Sequence, residues 1–394
     1  MTEVEGTRYV VRLARIAVVG LALALLAVAC GGGSGNGEKP IASVTRDLPA
    51  GGVQGVPETR GATLTVNSAD DVDKRDDVLT LREALLLATG WIEVEGLNGG
   101  ERDQVDGGPG IKVSDSIVFD PSAFPDDEPV AILLGADLPA MDTGGDTVDG
   151  GGNVIIDGQD KDLTCFTLAS DGNALKGVDL RGCRTAILVE RDVKGNVIGG
   201  AGDGNVISGN VVGVELRGRE TVIAGNIIGL DAAGTSGRTN EFEGIWITSA
   251  AQDNVLGGTG RGEGNVISGN ELFGVSIDGS TGTVLQGNII GLDPTGRTGI
   301  RNRYAIVVQA GASETLIGGE KAEERNVISG NNTAILVRGE ETAGNTIRGN
   351  YIGTDIDGET AIKNVVDVWF VAGREQNLLE DNVTLEPLSI EEGP

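Results

Sequence analysis

The sequence predicts an all-β solenoid, a single-stranded right-handed parallel β-helix with a short N-terminal capping helix. Three observations carry this. Whole phrases recur: GNVISGN at 204–210 and 264–270 with RNVISGN at 325–331, and GNIIGLD at 225–231 and 287–293 with GNYIGTD at 349–355. An alternating apolar word (CFTLA, AILVE, GVELR, GIWIT, GVSID, AIVVQ, AILVR) starts at 165, 186, 213, 244, 274, 305 and 334, a return every 21–31 residues. The 394 residues include 65 Gly and only 3% aromatics, which suits a narrow aliphatic core better than a broad globular one. Alternation marks a strand with one face in and one out. Strands too short to stand alone, returning at a regular interval, mark a solenoid.

Stacking gives the repeated phrases a purpose. Coils of a parallel β-helix lie ~4.8 Å apart, so equivalent positions touch. The phrases return 60–62 residues apart, two coils, so two coil types alternate. Val206/Ile207, Val266/Ile267 and Val327/Ile328 then supply stacked apolar contacts. Asn210, Asn270 and Asn331, and Asn226, Asn288 and Asn350, fall at corners. There the amide can hydrogen-bond along a column, and Asn tolerates the left-handed backbone of a sharp turn. Leucine-rich repeats are excluded by the missing leucine spacing, and helical solenoids by the glycine and β-branched content.

Five segments follow in order. Residues 1–29 read as a signal peptide: Arg8, Arg12 and Arg15 precede the apolar run 16–29, which is short for a membrane span. The small residues before Cys30 resemble a lipobox, which would make Cys30 a lipidated N-terminus; ordinary cleavage nearby is the other reading. Residues 30–60, rich in Gly, Pro and charge, read as a tether. Residues 61–164 form an N-terminal cap and first coils. They hold TLTV at 63, an acidic loop at 69–77, the helix TLREALLLATG at 80–90 and strands at 116–119, 131–134 and 153–157. Thr80 and Glu83 make a capping box at the helix start, and Gly90 stops it. Residues 165–372 are the repeats. Residues 373–394 read as a C-terminal cap and acidic tail, with Trp369 and Phe370 closing the apolar column.

Leu81–Ala84 within VNSADDVDKRDDVLTLREALLLATG resembles the core of the CSLREA module that precedes bacterial β-helix repeats, with Leu79 and Thr80 in place of its Cys-Ser. The NVISGN and GNYIGTD phrases resemble right-handed β-helix repeats of the pectate-lyase-like superfold, and together the likeness spans about residues 62–370. The resemblance implies the fold. It does not choose among the lyases, polygalacturonases, epimerases and adhesins that share it, and no catalytic motif of those enzymes is matched.

The net charge of −29 argues against nucleic acid or an anionic membrane as partner. The absence of His removes His-dependent triads and His-ligated metals. The apolar words place two columns outward. One runs Thr167, Leu188, Glu215, Trp246, Ser276, Val307, Leu336; the other Ala169, Glu190, Arg217, Thr248, Asp278, Gln309, Arg338. Glu215, Trp246, Asp278 and Arg338 are the candidate ligand-binding residues, because an indole can stack on a sugar ring while charged neighbours take its hydroxyls. Glu190, Arg217 and Asp278 are the candidate catalytic residues, but they span three rungs, roughly 15 Å, and a paired dyad needs ~5–10 Å. A merely solvated face is the third reading. Asp231, Asp293 and Asp355 read as turn caps, and Asp355, Asp357 and Glu359 are the place for Ca²⁺ if any binds. No other cofactor is expected. The run GGTGRGEG at 257–264 lacks the Lys-Ser/Thr of a phosphate loop and reads as a turn. Cys165 and Cys183 either pair or remain buried thiols.

The expected protein is an exported, lipid-anchored, monomeric surface module. It is expected to bind extracellular polysaccharide or cell-surface glycan without catalysis, or to serve as an adhesive or structural element, and to touch the membrane only through its lipid. The alternative is a polysaccharide lyase or glycoside hydrolase acting on acidic polysaccharide.

Overall fold

The computed structural model describes residues 60–235 and 238–393. These belong to the compact unit that begins at Ile41. The signal segment, Cys30 and the tether up to residue 59 lie outside the described residues. Among the described residues, no helix is long and apolar enough to cross a membrane.

Each coil has three sides. One side stacks Val222–Ala224, Val255–Gly257, Val284–Gln286, Leu316–Gly318 and Thr346–Arg348. The second stacks Val206–Ile207, Ile227–Ile228, Val266–Ile267, Ile289–Ile290, Val327–Ile328 and Tyr351–Ile352. The third is a separate nine-stranded sheet running from Thr164–Leu168 to Ile390–Gly393. All these pairings are parallel, and the chain is a parallel β-helix. The two phrases therefore share one column: Val206 pairs with Ile227, Ile227 with Val266 and Val266 with Ile289. Repeats of one phrase sit two rungs apart with the other phrase between them.

The second residue of each pair points inward. Ile207, Ile228, Ile267, Ile290 and Ile328 are fully buried, and each contributes about 1.5–3 kcal/mol. Ile267→Ala is expected to cost about 2–5 kcal/mol in denaturant unfolding.

An amide ladder follows each corner. The Oδ1 of Asn226, Asn265, Asn288, Asn326 and Asn350 accepts the backbone N–H of the ladder Asn one coil earlier, at 2.9–3.3 Å. A second ladder runs Asn210, Asn240, Asn270, Asn302, Asn331, Asn364. A third begins with Asp115, Asp146, Asn173 and Asn196, then mixes in Thr221 and Asn254. Asn205, Asn265, Asn326, Asn240, Asn302 and Asn364 are thus the rungs between the asparagines singled out in the sequence. The expected left-handed backbone belongs to the glycine before the Asn: φ is +70° at Gly225, +69° at Gly287 and +68° at Gly349, and among the described residues no Asn has positive φ. A Cβ on Gly225 would lie 2.2 Å from the Gly200 carbonyl oxygen. Gly225→Ala is therefore expected to cost more than about 1–2 kcal/mol, read as a lowered unfolding midpoint, because the backbone penalty of a left-handed L-residue and the clash add.

Cys183 takes the place of Asn at the foot of the second ladder. Its N–H donates to Asn210 Oδ1 at 3.0 Å, and its side chain is bonded to Cys165.

The N-terminal helix α1 spans Leu81–Ala88. Each residue of LREA has a distinct task. Leu81 and Ala84 are fully buried. Arg82 grips Asp71 through two nitrogens, at 2.8 and 3.0 Å, and donates to the carbonyls of Ala136 and Asp137. Glu83 closes the capping box with Thr80 and is paired by Arg75, which also reaches Glu101. Thr80→Ala is expected to cost about 1–2 kcal/mol.

At the other end, the reading of 373–394 as a cap and tail is corrected. Leu378–Glu380 pairs with Thr346–Arg348, and Ile390–Gly393 pairs with Val366–Val371, so the segment forms another coil. Phe370 consequently lies inside the core, under Glu392 of the next strand, instead of closing the column. The last strand, IEEG, carries two exposed glutamates, which discourages edge pairing.

Candidate functional site

The two outward columns stand in the register the alternation implies. Leu188 pairs with Glu215, Glu215 with Trp246, Trp246 with Ser276, Ser276 with Val307 and Val307 with Leu336. Asp278 pairs with Gln309 in the second column. The face is less solvated than expected: Ser276, Val307 and Leu336 are buried. Only Trp246, half-buried, offers an open ring in its column between Glu215 and Ser276.

Asp278 is the fixed point of the face. Its Oδ2 accepts the indole N–H of Trp246 at 2.9 Å. Its Oδ1 accepts the hydroxyl of Ser276 at 2.8 Å and the amide of Gln309 at 2.7 Å. Three donors from three successive coils hold the carboxylate and, through it, the indole. Arg217 is held likewise, 2.7 Å from Glu215 and 3.4 Å from Glu190. Burial works against the guanidinium charge, but the two glutamates outweigh it and raise its pKa. The structure thus gathers Glu190, Glu215 and Arg217 into one ionic group and Trp246 and Asp278 into another. Arg338 is exposed, one rung past Gln309 and two past Asp278.

The alternation did not reveal Glu243. It lies three residues before Trp246, at the start of the strand Glu243–Ile247. A Cβ on the intervening Gly244 would meet the inward Asn270 amide at 2.9 Å. Gly244 therefore turns toward the interior, and Glu243 turns to the outer side. The residue is only 8% exposed, and its carboxyl is raised to about 7, by burial first and then by the charges of Asp278 and Glu215. The next two rungs in its column are Phe273 and Tyr304, whose rings stand 5.5 Å apart, with Arg303 over Tyr304. The available signal was this aromatic pair one and two coils on, at the position just before the small residue of each apolar word.

The aspartate loops act as turn caps. Asp231 Oδ1 accepts from Thr235 N–H, Asp293 Oδ1 from Arg297 and Thr298 N–H, and Asp355 Oδ1 from Glu359 and Thr360 N–H. Burial would raise the Asp355 carboxyl; these two N–H donors, with Thr360 and Arg297, outweigh it and hold it down at about 2. Arg297 also pairs with Asp357. Protein donors thus take up the carboxylates of Asp355 and Asp357, and among the described residues no three acidic or Cys side chains converge as a metal cage. The loops touch despite their two-coil offset: the Ile356 N–H donates to the Gly296 carbonyl at 3.0 Å.

No family model matches the chain, and no curated protein matches it. Among solved structures it is similar to an alginate lyase from Paenibacillus sp. str. FPU-7, at 17% identity and TM-score 0.45, covering 71% of this chain and 91% of that one. It is similar to pectate lyase Pel9A at 13% identity and TM-score 0.42, covering 86% and 79%. It also resembles PfbA, a surface adhesin of Streptococcus pneumoniae, at 9% identity and TM-score 0.36, covering 69% and 77%. All three scores fall below 0.5, and the β-helix assignment rests on this chain's own strand register.

Proposed function

We propose that the protein is an exported glycan-binding surface module, anchored through Cys30, whose binding face is the outer side of the nine-stranded sheet around Trp246 and Asp278. The observation that supports this is the three-donor clamp on Asp278, which holds a half-buried indole in one orientation beside the Glu215–Arg217 pair. A stacking ring held before the ligand arrives loses little freedom on binding. The catalytic reading, a lyase or hydrolase through Glu190, Arg217 and Asp278, has less support: each group is already engaged by protein partners, and none stands as a free acid or base. The Asp355, Asp357 and Glu359 loop serves the fold, and Ca²⁺ has no part in this reading.

The test is retention on a panel of neutral, amino and uronate oligosaccharides, with release of reducing or unsaturated ends followed in Ca²⁺-containing buffer. Retention by the parent chain, at least tenfold weaker in Trp246→Ala, with no end release, is the expected result. No retention of any glycan, or end release abolished by Asp278→Ala, overturns the reading. For the anchor, Cys30→Ala is expected to move the protein from the membrane fraction to the soluble one.

A further inference from the structure

The N-terminal cap carries an apolar cluster that the rest of the fold does not cover. Helix α1 ends at a left-handed glycine. Gly90 has φ +71°, its N–H donates to the Leu87 carbonyl at 3.0 Å, and the Trp91 N–H reaches back to the Leu86 carbonyl at 2.8 Å. In this termination the residue after the glycine folds back on the last turn and commonly packs there. Trp91 instead stays 74% exposed, whereas Trp246 and Trp369 are half-buried. Ile111, 64% exposed, lies against the same turn: a Cβ on Gly90 would be 3.1 Å from its Cγ1. The half-buried Leu86 completes the cluster. Ile111 is held outward by its backbone. Its neighbours Gly110 and Lys112 have φ of +130° and +71°, and the Gly110 N–H donates to the buried Asp115 carboxylate at 2.9 Å. A lysine in the left-handed region is strained and persists only where its surroundings enforce it.

The place of the cluster says what covers it. Arg60, the first described residue, pairs with Ser114, three residues after Ile111. One rung and three residues of chain put this entry point within about 15 Å of Ile111. The chain before it, residues 30–59, leads back to Cys30. We propose that the N-terminal cap docks on the bilayer in which Cys30 is anchored, with Trp91 at the headgroup level and Ile111 and Leu86 toward the acyl chains. This rests on the anchoring through Cys30 proposed above and adds a second membrane contact to it. An indole suits the boundary because its ring is apolar and its N–H finds a partner among headgroups. One indole and two aliphatic side chains would hold a free protein only weakly. The anchor makes their contact intramolecular, at a high effective concentration of lipid. The exposed charges nearby are mixed, Arg60 and Lys112 against Glu93 and Glu95. The contact is therefore apolar, and neither salt nor anionic lipid is needed for it.

The experiment follows Trp91 fluorescence in the lipidated chain, purified from the membrane fraction and reconstituted in phosphatidylcholine vesicles, with Trp246→Phe and Trp369→Phe removing the other two indoles. Phosphatidylcholine brominated near the headgroup end of its acyl chains is expected to quench the emission at least twofold relative to unbrominated vesicles, at low and high salt alike. Ile111→Asp, at an exposed site, should remove most of that quenching. The parent chain gives the same answer without the background substitutions, because its bromine-dependent quenching should vanish in Trp91→Phe. A chain present in the vesicles with Trp91 unquenched overturns the inference and leaves the anchor reading intact. So does quenching unaffected by Ile111→Asp, or a shifted emission indifferent to bromine, which would be a second copy covering the cluster. A parent chain absent from the membrane fraction overturns the anchor reading and this inference with it.

Discussion

Asn288→Ala is expected to lower the stability of the β-helix by about 3–5 kcal/mol. The Asn288 amide donates to the carbonyls of Leu256 and Gln286 and to Asn326 Oδ1, at 2.8–3.1 Å. Its Oδ1 accepts both the backbone and side-chain N–H of Asn265. Alanine removes all five bonds and leaves the Asn265 N–H and the Leu256 carbonyl buried without them, at roughly 1 kcal/mol per bond and more for each orphan. A fall in the guanidinium midpoint corresponding to this loss is the expected reading. The half-buried Asn153, whose amide makes a solvent-exposed bond to Asp126, is the control, with Asn153→Ala expected to cost no more than about 0.5 kcal/mol. A loss under about 1 kcal/mol for Asn288→Ala would mean that the ladders add little to coil stacking.

Asp146→Asn is expected to stabilise the protein at pH 8 and to do little at pH 4. Asp146 is a carboxylate where the ladder above it has amides. Its Oδ1 accepts the Asp115 N–H at 3.0 Å, and Oδ2 accepts the Thr143 hydroxyl at 2.9 Å. Burial, opposed by these bonds and aided by the charges of Asp115 and Asp142, raises it from 3.8 to about 7. The folded state therefore holds a proton that the unfolded state releases between about pH 4 and 7. The stability this proton provides is fully present below the unfolded pKa and is lost as pH rises through about 7. A shift of this size corresponds to about 2–4 kcal/mol at pH 8. Asparagine keeps the acceptor for Asp115 and can donate to Thr143 Oγ, as the amide rungs do elsewhere. Glu243 titrates in the same direction, so unfolding temperatures of the parent chain should fall from pH 5 to pH 8 and flatten in Asp146→Asn/Glu243→Gln. A parent chain more stable at pH 8 than at pH 5 would contradict the assignment.

The fold was legible because a solenoid writes its contacts into the chain at a short, nearly regular period. The apolar words placed the outward columns of the third side in their actual register from Thr167 to Leu336. Half of the second amide ladder escaped because Asn240, Asn302 and Asn364 stand in TNEF, RNRY and KNVV, words with no common neighbours. The third ladder escaped because Thr substitutes for Asn at Thr221 and Thr315, where a hydroxyl occupies the same corner. The last coil was misread as a tail because its strands are short and acidic, and period-two alternation says little over three or four residues. At the binding face, the columns located Trp246 and Asp278 but gave no sign that Asp278 is clamped. That depends on side chains from three coils converging on one carboxylate. Glu243 was hidden because it stands one residue before the word begins, where the inward turn at Gly244 breaks the alternation.

Disulfide trapping across the phrase column tests the stacking most directly. The register puts Val206 opposite Ile227, ~4.8 Å away, and Val266 a further rung on. Val206→Cys/Ile227→Cys should oxidise to an intramolecular bond, and Val206→Cys/Val266→Cys, about 10 Å apart, should not. A bond between 206 and 266, with none between 206 and 227, would contradict the interleaved coils on which every other contact described here depends.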